Sequence, residues 1–408
     1  MPRSSHARLL LLCALGAGSA CREDPVSPRN PQALQPDGAP SAAAPLVFRA
    51  ISAGKVGHTC GVTTTDLAYC WGNNGYGHDY WPLGDGTKVI LRTRPVAVSG
   101  GLKFRQVSAA WGHSCGLTTD DRAYCWGLNG DGELGNGGGP STNRPVPVSG
   151  GLSFRVLSAG RVHTCGLTYA GKAYCWGANS LGYLGDGTTT DRNVPVPVLG
   201  NHTFAQISAG IEHTCAVKAS GEAWCWGANR WGQLGINSTI SRKQRPAKVV
   251  GGLLFAQISA GGMQQRGTTC AVTGGGKAYC WGNGSTGQRG DGTTAEKQLT
   301  PKAVATTQLF NRITLGRAHA CALTSAGQAW CWGDNFSGSV GDGTTTRRTR
   351  PVRVLGGLAY RQLSAGEGWT CGTTTVGAGY CWGVNVDGTL GDGTIQDRHR
   401  PTAVLGPL

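Results

Sequence analysis

The chain has 408 residues, of which 68 are glycine, 13 tryptophan and 16 cysteine, and only 14% are charged. Glycine far above its usual share of about 7%, combined with this many Trp and Cys residues, excludes a disordered chain and indicates a globular all-β protein rich in tight turns. The 37 Lys and Arg against 22 Asp and Glu give a formal charge of +15, which favours anionic partners without choosing among nucleic acid, lipid headgroups and cell-wall polymers.

Arg3 and Arg8 flank the start of an apolar run, Leu9 to Ala17, that is too short to span a bilayer. With the small residues Gly18, Ser19 and Ala20 it reads as a signal peptide over residues 1–20. A small-residue triplet ending at Cys21 resembles a bacterial lipoprotein cleavage site, although Gly18 stands where such sites usually carry Leu. The expected location is therefore the bacterial cell envelope, extracytoplasmic and anchored to a membrane through lipid on Cys21. The alternative is plain secretion with a free Cys21. Residues 21–45 form a Pro/Ala-rich linker, kept semi-extended by restricted proline φ angles.

From residue 46 onward the chain repeats. Cys-Trp-Gly recurs at Cys70, Cys125, Cys175, Cys225, Cys280, Cys331 and Cys381, and each is preceded ten positions earlier by Cys60, Cys115, Cys165, Cys215, Cys270, Cys321 or Cys371. Seven repeats, approximately 46–100, 101–150, 151–200, 201–250, 251–306, 307–356 and 357–408, fill the rest of the chain. Each reads as four short strands; in the third repeat these are Phe154–Ser158, His163–Leu167, Ala173–Trp176 and Val194–Val198. Prolines in the fourth place it at a sheet edge. Seven such units predict an all-β, seven-bladed β-propeller of four-stranded antiparallel blades.

Ser-Ala-Gly-x-x-His-Thr-Cys, Trp-Gly-x-Asn and Gly232-Gln233-Leu234-Gly235 resemble repeats of the regulator of chromosome condensation family. The resemblance covers nearly all of residues 46–408 and implies the same seven-bladed fold, while the repeat itself serves unrelated tasks.

The hairpin between the second and third strands sets a register. A turn centred on Ala170 puts Cys165 directly opposite Cys175, and opposed Cα atoms lie within disulfide reach. The last turn position, which favours left-handed φ, is Gly171, Gly221, Gly276, Gly327 or Gly377 in five repeats and Asp66 or Asp121 in two. Seven disulfides follow: Cys60–Cys70, Cys115–Cys125, Cys165–Cys175, Cys215–Cys225, Cys270–Cys280, Cys321–Cys331 and Cys371–Cys381, as expected in an oxidising compartment. Zinc binding by His-x-Cys-x9-Cys is the weaker reading, because the usual paired-cysteine knuckle is absent.

His58, His113, His163, His213 and His319 stand two before the first cysteine, replaced by Thr268 and Trp369 in the other two repeats. One histidine per repeat suggests a scaffold role rather than a ligand ring. The Gly-Asp-Gly aspartates Asp85, Asp186, Asp291, Asp342 and Asp392 suit turns better than calcium, with one carboxylate per loop. No metal or other cofactor is expected. Arg94, Arg144, Arg245, Arg350 and Arg400 precede the fourth-strand proline, with Arg92, Arg242, Arg347, Arg348 and Arg398 close by. They form either an anion-binding ring or partners for the loop aspartates.

Departures from the repeat gather in the loops joining strands one to two and three to four, which share one face. They include Tyr76, His78, Tyr80, Trp81, Trp111, Tyr183, Trp231, Met263, Arg266 and Trp369, the expected partner-binding residues. No nucleophile–base pair, paired carboxylates or phosphate loop stands out, so an enzyme is not expected. The expectation is a monomeric, non-catalytic binding scaffold for a protein or an anionic envelope polymer. The resemblance also implies a guanine-nucleotide exchange and chromatin-type regulator as an alternative, against which export and paired cysteines argue. A cell-wall carbohydrate-binding protein or hydrolase is the third reading. Nucleic acid is not expected as a partner.

Overall fold

Each repeat folds as a blade because its first strand is two-sided. In Phe48–Ala53, Phe48, Ile51 and Ala53 are buried while Ser52 is half-buried, the alternation of a strand with one packed face and one open face. The second strands, such as His58–Thr63, are buried throughout, and the fourth, such as Arg192–Pro197, are the most exposed. Hydrophobic packing therefore orders the strands from the axis outwards. Seven four-stranded antiparallel sheets result, each made of consecutive strands. The propeller is seen in a computed structural model that describes residues 45–75 and 80–407. The expected signal peptide, Cys21, nearly all of the linker, Tyr76 and His78 lie outside the described residues.

In the third blade the strands are Phe154–Ala159, His163–Thr168, Ala173–Gly177 and Arg192–Pro197. The first three match the sequence reading to within a residue. The fourth begins two residues early, because Arg192 pairs with Gly177 across a bulge. Cys165 lies directly opposite Cys175, and all seven predicted disulfides are present, with Cα atoms 4.0–4.1 Å apart. The turn chemistry explains the register: Asp66 and Asp121 adopt φ of 64° and 65°, and Gly171 takes the same role at 71°.

The cores lie between blades. Cys165, Leu167 and Cys175 of the third blade pack with Phe204, Ile207 and Trp226 of the fourth. Trp226 donates its indole N–H to the Tyr183 carbonyl at 2.7 Å, in the third blade's loop between strands three and four. That loop must pass flat over the ring: a Cβ at Gly185 would come within 2.7 Å of Trp226 Nε1.

Ring closure needs no shared blade. The first blade uses Phe48–Ala53, His58–Thr63, Ala68–Asn73 and Leu91–Ala97, and the seventh Tyr360–Ala365, Trp369–Thr374, Gly379–Gly383 and Arg398–Ala403. They meet as other neighbours do. Trp71 donates to the Thr389 carbonyl at 2.9 Å, and the Gln362 amide mimics a strand by bonding both Ile51 N and O, at 3.1 and 3.0 Å.

Candidate functional site

The histidines are buried and tie blades together. His113 Nε2 lies 2.8 Å from Thr164 Oγ1 of the next blade, and His58, His163, His213 and His319 reach Ser114, Thr214, Thr269 and Thr370 in the same way. The hydroxyls of Ser114, Thr214, Thr269 and Thr370 donate to loop carbonyls, so the imidazole Nε2 must carry the proton in those pairs. Burial lowers His58 and His319 to about 4 and His113, His163 and His213 to about 3. They are neutral struts. The scaffold reading of these positions fits, with a side-chain hydroxyl of the next blade as the shared partner and, for His58, the Val56 carbonyl 3.2 Å from Nδ1 as well.

The loop aspartates are likewise occupied. Asp186 Oδ1 accepts Thr188 N–H and hydroxyl at 3.0 and 2.7 Å, and Oδ2 accepts Arg192 at 2.9 Å. Arg92, Arg348 and Arg398 hold Asp85, Asp342 and Asp392 alike. Asp291 is paired by Arg289 and Lys302, both at 3.1 Å. The other arginine set, Arg94, Arg144, Arg245, Arg350 and Arg400, forms no such pair through its guanidinium groups among the described residues. The two arginine columns thus divide: one builds the loops, and the other lies on the outer strands.

On the face that bears the strand 1–2 and 3–4 loops, the structure assembles a continuous array. Tyr80 stacks on Trp111 with centroids 5.9 Å apart. The Arg161 guanidinium lies 5.2 Å from the centroid of the Trp111 ring. Glu212 follows; burial raises its carboxyl, while the Gln265 backbone N–H and the Arg161 charge act the opposite way. Gln265 tops the lengthened hairpin Phe255–Met263 and Arg266–Thr273, where its φ of 59° makes the turn. Arg266 returns over the Trp231 ring at 5.2 Å. Lys88 covers Trp81 at 4.7 Å.

Of the expected binding residues, Trp81, Trp111, Trp231, Met263 and Arg266 are half-buried and reachable. Three are corrected inward. Tyr80 is 9% exposed under Trp111, Tyr183 is 5% exposed and stacks on His163, and Trp369 is 1% exposed within the blade interface. Sequence reading passed over Arg161, Glu212 and the Arg317–Glu367 ion pair at 2.6 Å. For Arg161, Arg317 and Glu367 the signal was the column following Ser-Ala-Gly or its equivalent, which runs Lys55, Trp111, Arg161, Ile211, Gly262, Arg317 and Glu367; Glu212 stands one position later. Phe336, 85% exposed on a strand 3–4 loop, was also missed.

No helix among the described residues is long and apolar enough to cross a membrane. Comparison with known proteins agrees with the geometry. The model of the RCC1-like domain matches residues 83–407, and that of the regulator of chromosome condensation (RCC1) repeat matches residues 48–77. The human E3 ubiquitin-protein ligase HERC2 is 33% identical over 88 residues, 21% of this chain, and the match spans only 2% of HERC2. Human WBSCR16 superposes with a TM-score of 0.75 at 20% identity, covering 84% of this chain and 94% of the other. Yeast RCC1 (Prp20), solved with Kap60 bound, gives 0.73 at 19% identity, covering 91% and 90%. With the family model matching most of its length and seven contiguous four-stranded blades, the chain belongs to the RCC1-like family.

Proposed function

We propose that the chain is a non-catalytic, extracytoplasmic binding scaffold that holds a protein partner on the face carrying the strand 1–2 and 3–4 loops. The observation that carries this reading is the array Tyr80–Trp111–Arg161–Glu212–Gln265–Arg266–Trp231. It draws on five blades and leaves Trp111, Trp231 and Arg266 partly open. Aromatic and arginine side chains held by neighbours lose little freedom on binding and make strong anchors. Seven buried disulfides are consistent with an oxidising compartment. A similar yeast propeller was solved with a protein, Kap60, bound to it.

Cross-linking capture from envelope fractions tests the proposal. Trp111→Ala with Trp231→Ala should lose the partner that the unaltered chain retains, at unchanged thermal stability. Retention by the double variant sinks this face as the docking site. A second reading, an anionic envelope polymer, is favoured by the guanidinium groups of Arg94, Arg144, Arg245, Arg350 and Arg400 on the outer strands. It predicts loss of binding in the Arg→Gln variants of that set instead.

A further inference from the structure

The face opposite the aromatic array, where the strand 2–3 turns emerge, carries arginines near the start of the first strands. The residue after the buried aromatic of each first strand is Arg49, Arg105, Arg155, Ala205, Ala256, Asn311 or Arg361. In the sixth blade the charge stands one position further on, at Arg312.

The first two blades show what such an arginine binds. Arg105 donates through Nη2 to the Phe154 carbonyl of the next blade at 2.7 Å, and through Nε to Asp121 of its own turn, also at 2.7 Å. Arg49 pairs with Asp66, the equivalent turn residue, at 2.6 Å. Arg361 repeats the first bond, from Nη2 to the Phe48 carbonyl at 2.8 Å. It lacks the second. Gly377 stands where the first two blades carry Asp66 and Asp121, and Arg361 Nε has no partner among the described residues. Arg155 also has a glycine, Gly171, at this turn position. There, however, Tyr169 of the same turn donates to Asp121 of the second blade at 2.7 Å, so a carboxylate still stands beside it.

Beside Arg361 the positive charge is doubled. Arg312 and Arg361 are both exposed and line one cavity of about 380 Å³ between the sixth and seventh blades. The Arg312 guanidinium makes no ion pair or hydrogen bond among the described residues. The lining adds Ser325 and Thr375 and holds no Asp or Glu. Two guanidinium groups therefore share a groove that contains no internal anion, and their planar N–H forks match the oxygens of a phosphate or carboxylate.

We propose that the groove between the sixth and seventh blades binds a small oxyanion of the phosphate class, held by Arg312 and Arg361. The anion takes the part that a turn aspartate plays in the first two blades. Two cations in one groove suit a dianion, and the volume falls within the range of ordinary ligand pockets. The groove lies on the other face from the aromatic array, so neither reading depends on the other.

Calorimetric titration of the oxidised chain with sodium phosphate, against sodium chloride at matched ionic strength, tests this. One saturable site per chain is expected for phosphate and none for chloride. Arg312→Gln and Arg361→Gln should each weaken it at least about tenfold, as expected for loss of a charged hydrogen-bonding group. Arg155→Gln, in the blade that keeps a neighbouring carboxylate, should leave it within about twofold. Arg312→Gln removes no contact among the described residues, so it keeps the test decisive should Arg361→Gln, which also gives up the Phe48 bond, fail to fold. Gly377→Asp supplies the missing carboxylate at a turn position where aspartate is already tolerated twice; its Cβ displaces only a methyl of the exposed Val47. It should abolish phosphate binding, whereas Gly377→Asn, of the same shape without the charge, should retain it. The proposal is overturned by absence of a saturable phosphate site, by binding that survives removal of both guanidinium groups, by loss with Arg155→Gln, or by equal effects of Asp and Asn at position 377.

Discussion

Trp369 Nε1 donates to Thr59 Oγ1 at 2.9 Å, joining the seventh blade to the first. Trp369 occupies the column that holds histidine in five blades, and an indole N–H can only donate. The bond therefore has the same direction as the histidine links, and Thr59 passes its own proton to the Thr389 carbonyl at 2.9 Å. The single gap in this ring is a double change. Thr268 replaces histidine in the fifth blade and Ala320 replaces the hydroxyl residue in the sixth, while Thr268 turns back to the Asn283 carbonyl at 2.9 Å.

Thr59→Val should leave the Trp369 N–H buried without an acceptor while keeping the volume of the side chain. The expected loss is about 1–3 kcal/mol, read as a lower denaturation midpoint at unchanged slope. Conversely, Thr268→His and Ala320→Thr should be coupled. Each alone is neutral or destabilising, and the pair recovers about 0.5–1.5 kcal/mol relative to the sum. Strict additivity would show that the link does not stabilise the interface.

The histidine struts make stability depend on acid. Their pKa values are lowered by burial to about 3 or 4 in the folded chain, against about 6.5 unfolded. The unfolded chain thus takes up protons first, so the stabilising contribution is complete above pH ~6.5 and is lost as pH falls towards 3–4. His163→Gln should flatten the decline between pH 7 and 5 by roughly 1–2 kcal/mol, measured as the difference in unfolding free energy at the two pH values. An unchanged slope would show that His163 titrates normally.

Each disulfide is fully buried against the next blade, as Cys165 and Cys175 are beside Trp226. Replacing Cys165 and Cys175 together by Ala should cost about 2–3 kcal/mol from the short closed loop, plus a contribution from the space left under the tryptophan. The unaltered chain should take up no alkylating agent at its fourteen paired cysteines until it is both unfolded and reduced. Labelling of the folded, unreduced chain at any of them, seen by peptide mass, would contradict the pairing.

What was legible in the sequence follows from the range of each interaction. The Cys165–Cys175 register depends on a turn five residues away, and the turn residues Asp66, Asp121 and Gly171 announce it. The link from His163 to Thr214 spans 51 residues, and no local pattern says which hydroxyl a histidine meets. Only the paired departure of Thr268 and Ala320 hints at it. Trp369 was placed on the binding face for the same reason: it breaks the repeat, and breaking the repeat does not distinguish an exposed residue from one that substitutes for a buried donor. The arginines divided along a finer line. Arg192 reaches its own loop's Asp186, whereas Arg245, two residues beyond the equivalent Lys243, does not reach a carboxylate among the described residues.

Glu133 supplies the opposite pH test. It is fully buried at a loop position where Gln233 and Gln288 stand in other blades, and each of the three accepts the backbone N–H two residues earlier. Its second oxygen, Oε1, has no hydrogen-bond partner. Burial raises its carboxyl to about 7, with the neighbouring charges of Asp131 and Asp191 adding to the effect. A folded-state value above the unfolded one of about 4.3 means that ionisation opposes folding as pH rises through 7, and has no effect below pH ~4. Glu133→Gln preserves the bond to the Asp131 N–H and removes the charge. It should therefore stabilise the chain by roughly 1–3 kcal/mol at pH 8 and leave it nearly unchanged at pH 4.5. Equal shifts at the two pH values would assign the effect to packing, and destabilisation at pH 8 would show that the carboxylate has a cationic partner in the folded chain.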